Sequence, residues 1–203
     1  MICNPITMTC VFLVAIVVGF CLAVCVHEAG HLLGGYITNY NFVTLAVFGI
    51  SIYKRGGKYR LKVRKDLGLG VCFMGPKSLQ QKPYVLIAGG IAANMLLSVA
   101  AFISGIFAGS LYVMTASVCI GGINLMMGIY NAVPHSPSND GTSLKEVLRG
   151  PKYVQMYNRI MMIYYEEENE TRPEEMDAEL FFVPEGTDGA LADELRVYGE
   201  MVK

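Results

Sequence analysis

The chain has no tryptophan, only three histidines among 203 residues, and long stretches without a single charged side chain. Each scarcity narrows what the protein can be. Its six cysteines, Cys3, Cys10, Cys21, Cys25, Cys72 and Cys119, include no C-x-x-C pair. That argues against a disulfide framework and against a thiolate metal site. No lysine or arginine precedes the first apolar run. Leu22-Ala23-Val24-Cys25 resembles a lipoprotein cleavage box, but the basic region that opens a signal peptide is missing, so the run reads as a retained span. No internal repeat and no nucleic-acid-binding motif is present.

Hydrophobic residues make up 53% of the chain. Apart from cysteines, Ile6 to Val26 carries no ionisable group, and Pro83 to Pro134 carries neither a charged residue nor a histidine. A hydrocarbon core of roughly 30 Å takes about 20 helical residues, so the second run must cross twice, turning near Gly105 to Ser110. The expected fold is therefore a membrane α-helical core of three spans at about 7–36, 84–108 and 111–133. Recurring small residues, such as Gly89, Gly90, Ala93, Gly121 and Gly128, would let these helices approach closely.

Between the first two spans the periodicity changes. Thr44 to Val47 and Ile50 to Tyr53 read as strands, Lys58 to Arg64 alternates with basic residues on one face, and Arg55-Gly56-Gly57-Lys58 signals a hairpin turn. A β-rich insertion over 42–65 is expected at the membrane surface. Lys54, Arg55, Lys58, Arg60, Lys62, Arg64, Lys65, Lys77 and Lys82 crowd this connection with only Asp66 against them. Such a patch suits anionic lipid, and it predicts a cytoplasmic connection, with the N-terminus outside and the C-terminus cytoplasmic, in the cell membrane.

Into this apolar setting the sequence sets His27-Glu28-Ala29-Gly30-His31. Positions i and i+4 share a helix face, so both imidazoles can reach one metal ion. Glu28 lies beside that face, where a zinc hydrolase keeps the general base that activates a zinc-bound water. Ionisable groups at membrane depth are costly and persist where they meet partners in a protein interior. A third ligand is needed. Asp140 and His135 both lie in the proline-containing loop from Asn131 to Gly141, and a glutamate from the tail, such as Glu146 or Glu167, is a further alternative. Asp140 could equally serve as the N-cap of a helix running through Leu144 and Val147.

Taken together, these residues resemble the site-2 protease family of intramembrane zinc metalloproteases. The resemblance rests on His27-Glu28-x-x-His31 in the first span, Gly90-x-x-x-Asn94 in the second, and Asn131-x-x-Pro134 leading to Asp140-Gly141 after the third. It covers about residues 8–145 and implies that His27, His31 and Asp140 bind Zn2+ and that Glu28 is the catalytic base. It also implies that Asn94 and Asn131 hold substrate or the oxyanion. For Asn94, an interhelical hydrogen bond is the competing reading. The spacing from Pro134 to Asp140, with His135 between, departs from the commonest family form.

The core is thus expected over 1–141, and 142–203 as an acidic cytoplasmic tail with amphipathic helices at Tyr153 to Tyr165 and Ala190 to Val202. That tail could dock on the basic hairpin. The expected partners are a membrane protein or peptide substrate and the lipid bilayer, with no nucleic acid. An exposed edge of the Thr44–Val63 sheet could hold the substrate as an added strand. The rival from another class is a non-proteolytic zinc-binding membrane regulator or immunity-type protein that keeps the fold.

Overall fold

The computed structural model describes residues 4–64 and 66–202. Lys65 of the basic connection, Met1 to Cys3 and Lys203 lie outside the described residues. The first helix, α1 (Pro5–Ile37), begins where Asn4 accepts the Ile6 N–H at 3.0 Å and Pro5 takes the first helical position. Proline suits that position because its missing N–H would have no helical partner there. At 33 residues, α1 is roughly 50 Å long at 1.5 Å per residue, more than a bilayer core.

The helix buries small residues and exposes large ones. Ala15, Gly19, Ala23, Gly30 and Gly34 face inward, whereas Leu13, Val14 and Val17 are exposed. This inverts the pattern of a water-soluble bundle and is what helices packed in lipid require. α2 (Tyr84–Ile106) and α3 (Leu111–Ala132) complete a bundle in which each helix touches both others. At the α1/α2 crossing, a Cβ on Gly30 would overlap the Gly89 carbonyl, so glycine sets how closely these backbones meet. All three helices are long and apolar enough to cross a membrane.

Between α1 and α2 lies an antiparallel sheet of β1 (Asn41–Val47), β2 (Ile50–Arg55), β3 (Lys58–Val63) and β4 (Gly70–Gly75), in the order β3-β2-β1-β4. The expected hairpin is present: Gly56 and Gly57 both take positive φ, as a two-residue turn of this kind needs. Register pairs Ile50 with Val63 and Ile52 with Leu61, so one face of this hairpin is apolar, and all four side chains are exposed. The opposite face carries Arg55, Lys58, Arg60 and Lys62. The fourth strand was not expected from the sequence. Its run Gly-Val-Cys-Phe-Met-Gly is packed on both faces, so no polar and apolar alternation marks it.

The tail forms α4 (Asp140–Val147), α5 (Pro151–Glu168) and α6 (Ala190–Met201), with two short 3₁₀ turns between α5 and α6. Its apolar faces share one cluster with the sheet and the start of α2, where Met74 and Leu86 meet Met156, Ile160, Ile163 and Leu195. Each such side chain contributes about 1.5–3 kcal/mol on burial, so the tail is held against the insertion by its core. Charge adds little: Arg55 pairs with Glu170 and Arg64 with Glu168, and contacts of this kind near the surface are worth at most about 1 kcal/mol. They do place the acidic end of α5 on the basic hairpin.

Candidate metal centre

His27 and His31 are buried on α1, one turn apart, with their Nε2 atoms 3.0 Å from each other. Asp140 reaches them from the first turn of α4. Its Oδ2 stands 2.9 Å from Nε2 of His27 and 3.2 Å from Nε2 of His31. The other ring nitrogens are committed elsewhere. Nδ1 of His27 lies 2.7 Å from Oδ1 of Asn94, and Nδ1 of His31 lies 2.8 Å from the Leu86 carbonyl oxygen. Both of those partners can only accept, so each imidazole donates from Nδ1 and turns a bare Nε2 lone pair inward.

With both rings neutral, three acceptors converge with no proton between them. Oδ2 of Asp140 is buried and has no hydrogen-bond partner of acceptable geometry. A cation placed between the three atoms would relieve their mutual repulsion. With ligand bonds of about 2.0–2.1 Å, tetrahedral donors lie roughly 3.3 Å apart, close to the separations seen. The His27, His31 and Asp140 group can hold a metal ion, and among the described residues it is the only such group.

The loop from Val133 to Asn139 delivers Asp140 through a cap one residue earlier than the sequence reading placed it. Asn139 is the N-cap of α4: its Oδ1 accepts the Thr142 N–H at 3.0 Å. Its amide also donates to the Tyr130 and Asn131 carbonyl oxygens, tying α4 to the end of α3. Asn139 thereby relieves Asp140 of capping duty. His135 stands outside the group: it is exposed and packed on the Tyr130 ring, with Nδ1 against the Val133 carbonyl. Glu146 is not one either: it caps α6, accepting the N–H groups of Ala190 and Leu191 at 2.6 and 2.9 Å. Glu167 lies outside the group.

A cleft of about 980 Å3 opens onto the centre. Glu28 lines it, with its carboxylate so close to the backbone of β4 that a Cβ on Gly70 would meet Oε1 at 2.6 Å. Among the described residues that carboxylate has no hydrogen-bond partner, so both oxygens are available to a molecule in the cleft. Asn131 also lines the cleft and spends one amide N–H on the Met127 carbonyl. Asn94 is fully buried and makes the interhelical bond: its amide donates to the Ala23 carbonyl and to Asn124, each at 2.9 Å. The strand bordering the cleft is β4, through Gly70 to Phe73, outside the Thr44–Val63 segment expected to provide the edge. Helices α5 and α6 form the far wall with Tyr157, Tyr164 and Glu194.

Reading the sequence missed β4, the Asn139 cap and Asn124. The third had a visible signal, since an asparagine in a charge-free span needs a partner. No protein-family model, curated protein or solved structure matches the chain.

Proposed function

We propose that this protein is an intramembrane zinc endopeptidase of the site-2 protease kind, hydrolysing a peptide bond in a membrane-embedded or membrane-proximal substrate. The observation that carries the reading is the position of Glu28: an unpartnered carboxylate, in an open cleft, beside two imidazoles on a helix suited to a membrane and the Asp140 carboxylate that meets them from α4. Two imidazoles and one carboxylate form the donor set of a catalytic zinc, which keeps a fourth position open. When bound, zinc would polarise the scissile carbonyl and lower the pKa of water.

The remaining work falls to side chains of this chain. Glu28 accepts a proton from the attacking water and returns it to the nitrogen of the leaving amine. Asn131, with an N–H and a carbonyl oxygen to spare, faces the peptide across the cleft. Asn94 has both amide N–H groups and its carbonyl oxygen engaged within the bundle, and it acts by fixing the His27 ring. The basic connection favours a cytoplasmic site, which water enters from that side. An unwound substrate would lie along β4, next to Glu28, adding a strand to that edge.

The test compares membranes containing wild type and the Glu28→Gln variant by peptidomics, with zinc measured on both purified proteins. Cleavage products present only in wild type, at equal zinc content, are the expected result. Identical peptide profiles, or a biological phenotype that survives the substitution, would overturn the protease reading and favour a metal-binding regulator.

A further inference from the structure

We infer that Asn124, on α3, is a positioning residue of the metal centre, acting on His27 through Asn94. The inference rests on the reading of His27, His31 and Asp140 as metal ligands. Asn124 touches none of them. It is fully buried at the middle of a span, as is Asn94. Its Nδ2 donates to the Ile120 carbonyl, one turn back on its own helix, at 2.8 Å. That bond leaves Oδ1 pointing across to α2, where it accepts from Nδ2 of Asn94 at 2.9 Å.

The consequence lies in which way round the Asn94 amide sits. An amide can rotate by half a turn and exchange its oxygen for its nitrogen at nearly the same shape. Here two acceptors, the Ala23 carbonyl oxygen and Oδ1 of Asn124, both demand the NH2 group. Oδ1 of Asn94 must therefore face His27, and it can only accept. His27 is then obliged to carry its proton on Nδ1, which leaves Nε2 bare toward Asp140. With Asn94 reversed, NH2 would face Nδ1, the proton would move to Nε2, and the ring could not bind a metal at that atom. One chain of hydrogen bonds thus runs from α3 through α2 to α1 and sets the tautomer of a ligand.

Replacing the Asn124 acceptor removes one of the two restraints on that amide. Partners bonded directly to metal-bound histidines typically matter by 10- to 100-fold in affinity, and Asn124 acts one bond further out, so Asn124→Leu should weaken Zn2+ binding by about 10-fold. Asn124→Asp retains an acceptor toward Asn94 and should stay within a few-fold of wild type. The full-length protein in detergent is titrated with Zn2+, and Co2+ is loaded to read ligand geometry from its visible absorption. Thermal transition and elution profile are recorded alongside, and Asn124→Ala serves if the leucine variant does not fold. A folded variant without the acceptor that binds Zn2+ and shows the Co2+ spectrum as wild type does would overturn the inference. His27→Ala is the control: if it too retains Zn2+, the metal reading falls and this inference with it; if it loses Zn2+ while Asn124→Leu does not, only the inference falls.

Discussion

Gly90 sits so tightly against His31 that any side chain there would displace it: a Cβ would run into Nε2 of His31 and come within 2.8 Å of Cε1 and Nε2 of His27. Helix α2 thus leaves a bare backbone position where the two imidazoles turn toward Asp140. Gly90→Ala should leave the three helices intact, since alanine favours a helix more than glycine does. It should nonetheless displace both rings from the converging geometry. The expected result is a folded protein with little or no bound zinc by elemental analysis; full metal occupancy would show that the rings have other room.

The identity of the third ligand is testable by subtraction. Asp140→Ala removes one of three donors and should lower Zn2+ affinity by at least about 100-fold, since the site would be left with two imidazoles. His135→Ala and Glu146→Ala should not alter Zn2+ binding, because one side chain is exposed and the other is engaged with α6. Metal per chain after dialysis against a weak chelator separates these outcomes.

Much of this architecture could be read from residues alone, and where it could not, the reason is physical. The spans follow from charge-free length, and the pairing of His27 with His31 from helical periodicity. The convergence of Asp140 was expected only through the family resemblance, because no periodic pattern encodes the conformation of the loop that carries it. The offset between Asn139 and Asp140 was lost because either side chain can cap a helix, and only the resulting geometry separates the cap from its free neighbour. β4 escaped notice because a strand packed on both sides carries no alternation. The tail was legible as helices but not as a wall of the cleft, since its apolar face says only that it packs somewhere.

Glu146 links α4 to α6 in place of a local cap. Helix α6 has Gly189 ahead of it and no side-chain cap of its own, so both oxygens of Glu146 meet its first N–H groups. Losing a capping acceptor costs about 0.5–2 kcal/mol. Glu146→Ala should therefore speed amide hydrogen exchange along α6 by roughly 2- to 30-fold, that free energy expressed as an equilibrium ratio, and leave exchange in α1 to α3 unchanged. Uniform exchange across the protein would argue that α6 does not open as a separate unit.

Glu194 makes the stability of the cleft wall depend on pH. Burial raises its carboxyl above the ordinary carboxylate range, and a hydrogen bond donated by the Tyr164 hydroxyl at 2.6 Å opposes that shift without cancelling it. A carboxyl raised on folding favours the folded state in its protonated form, so its contribution is fully present below the unfolded value near 4.3 and is lost as pH rises through the folded value. Glu194→Gln keeps an oxygen for Tyr164 and removes the charge. The variant should be more resistant than wild type to opening of α6 at neutral pH, with the difference shrinking as pH falls toward 4. Hydrogen exchange along α6, compared between the two proteins after correction for the intrinsic rate at each pH, measures this; a difference that stays constant with pH would mean that the carboxylate is compensated in the folded protein.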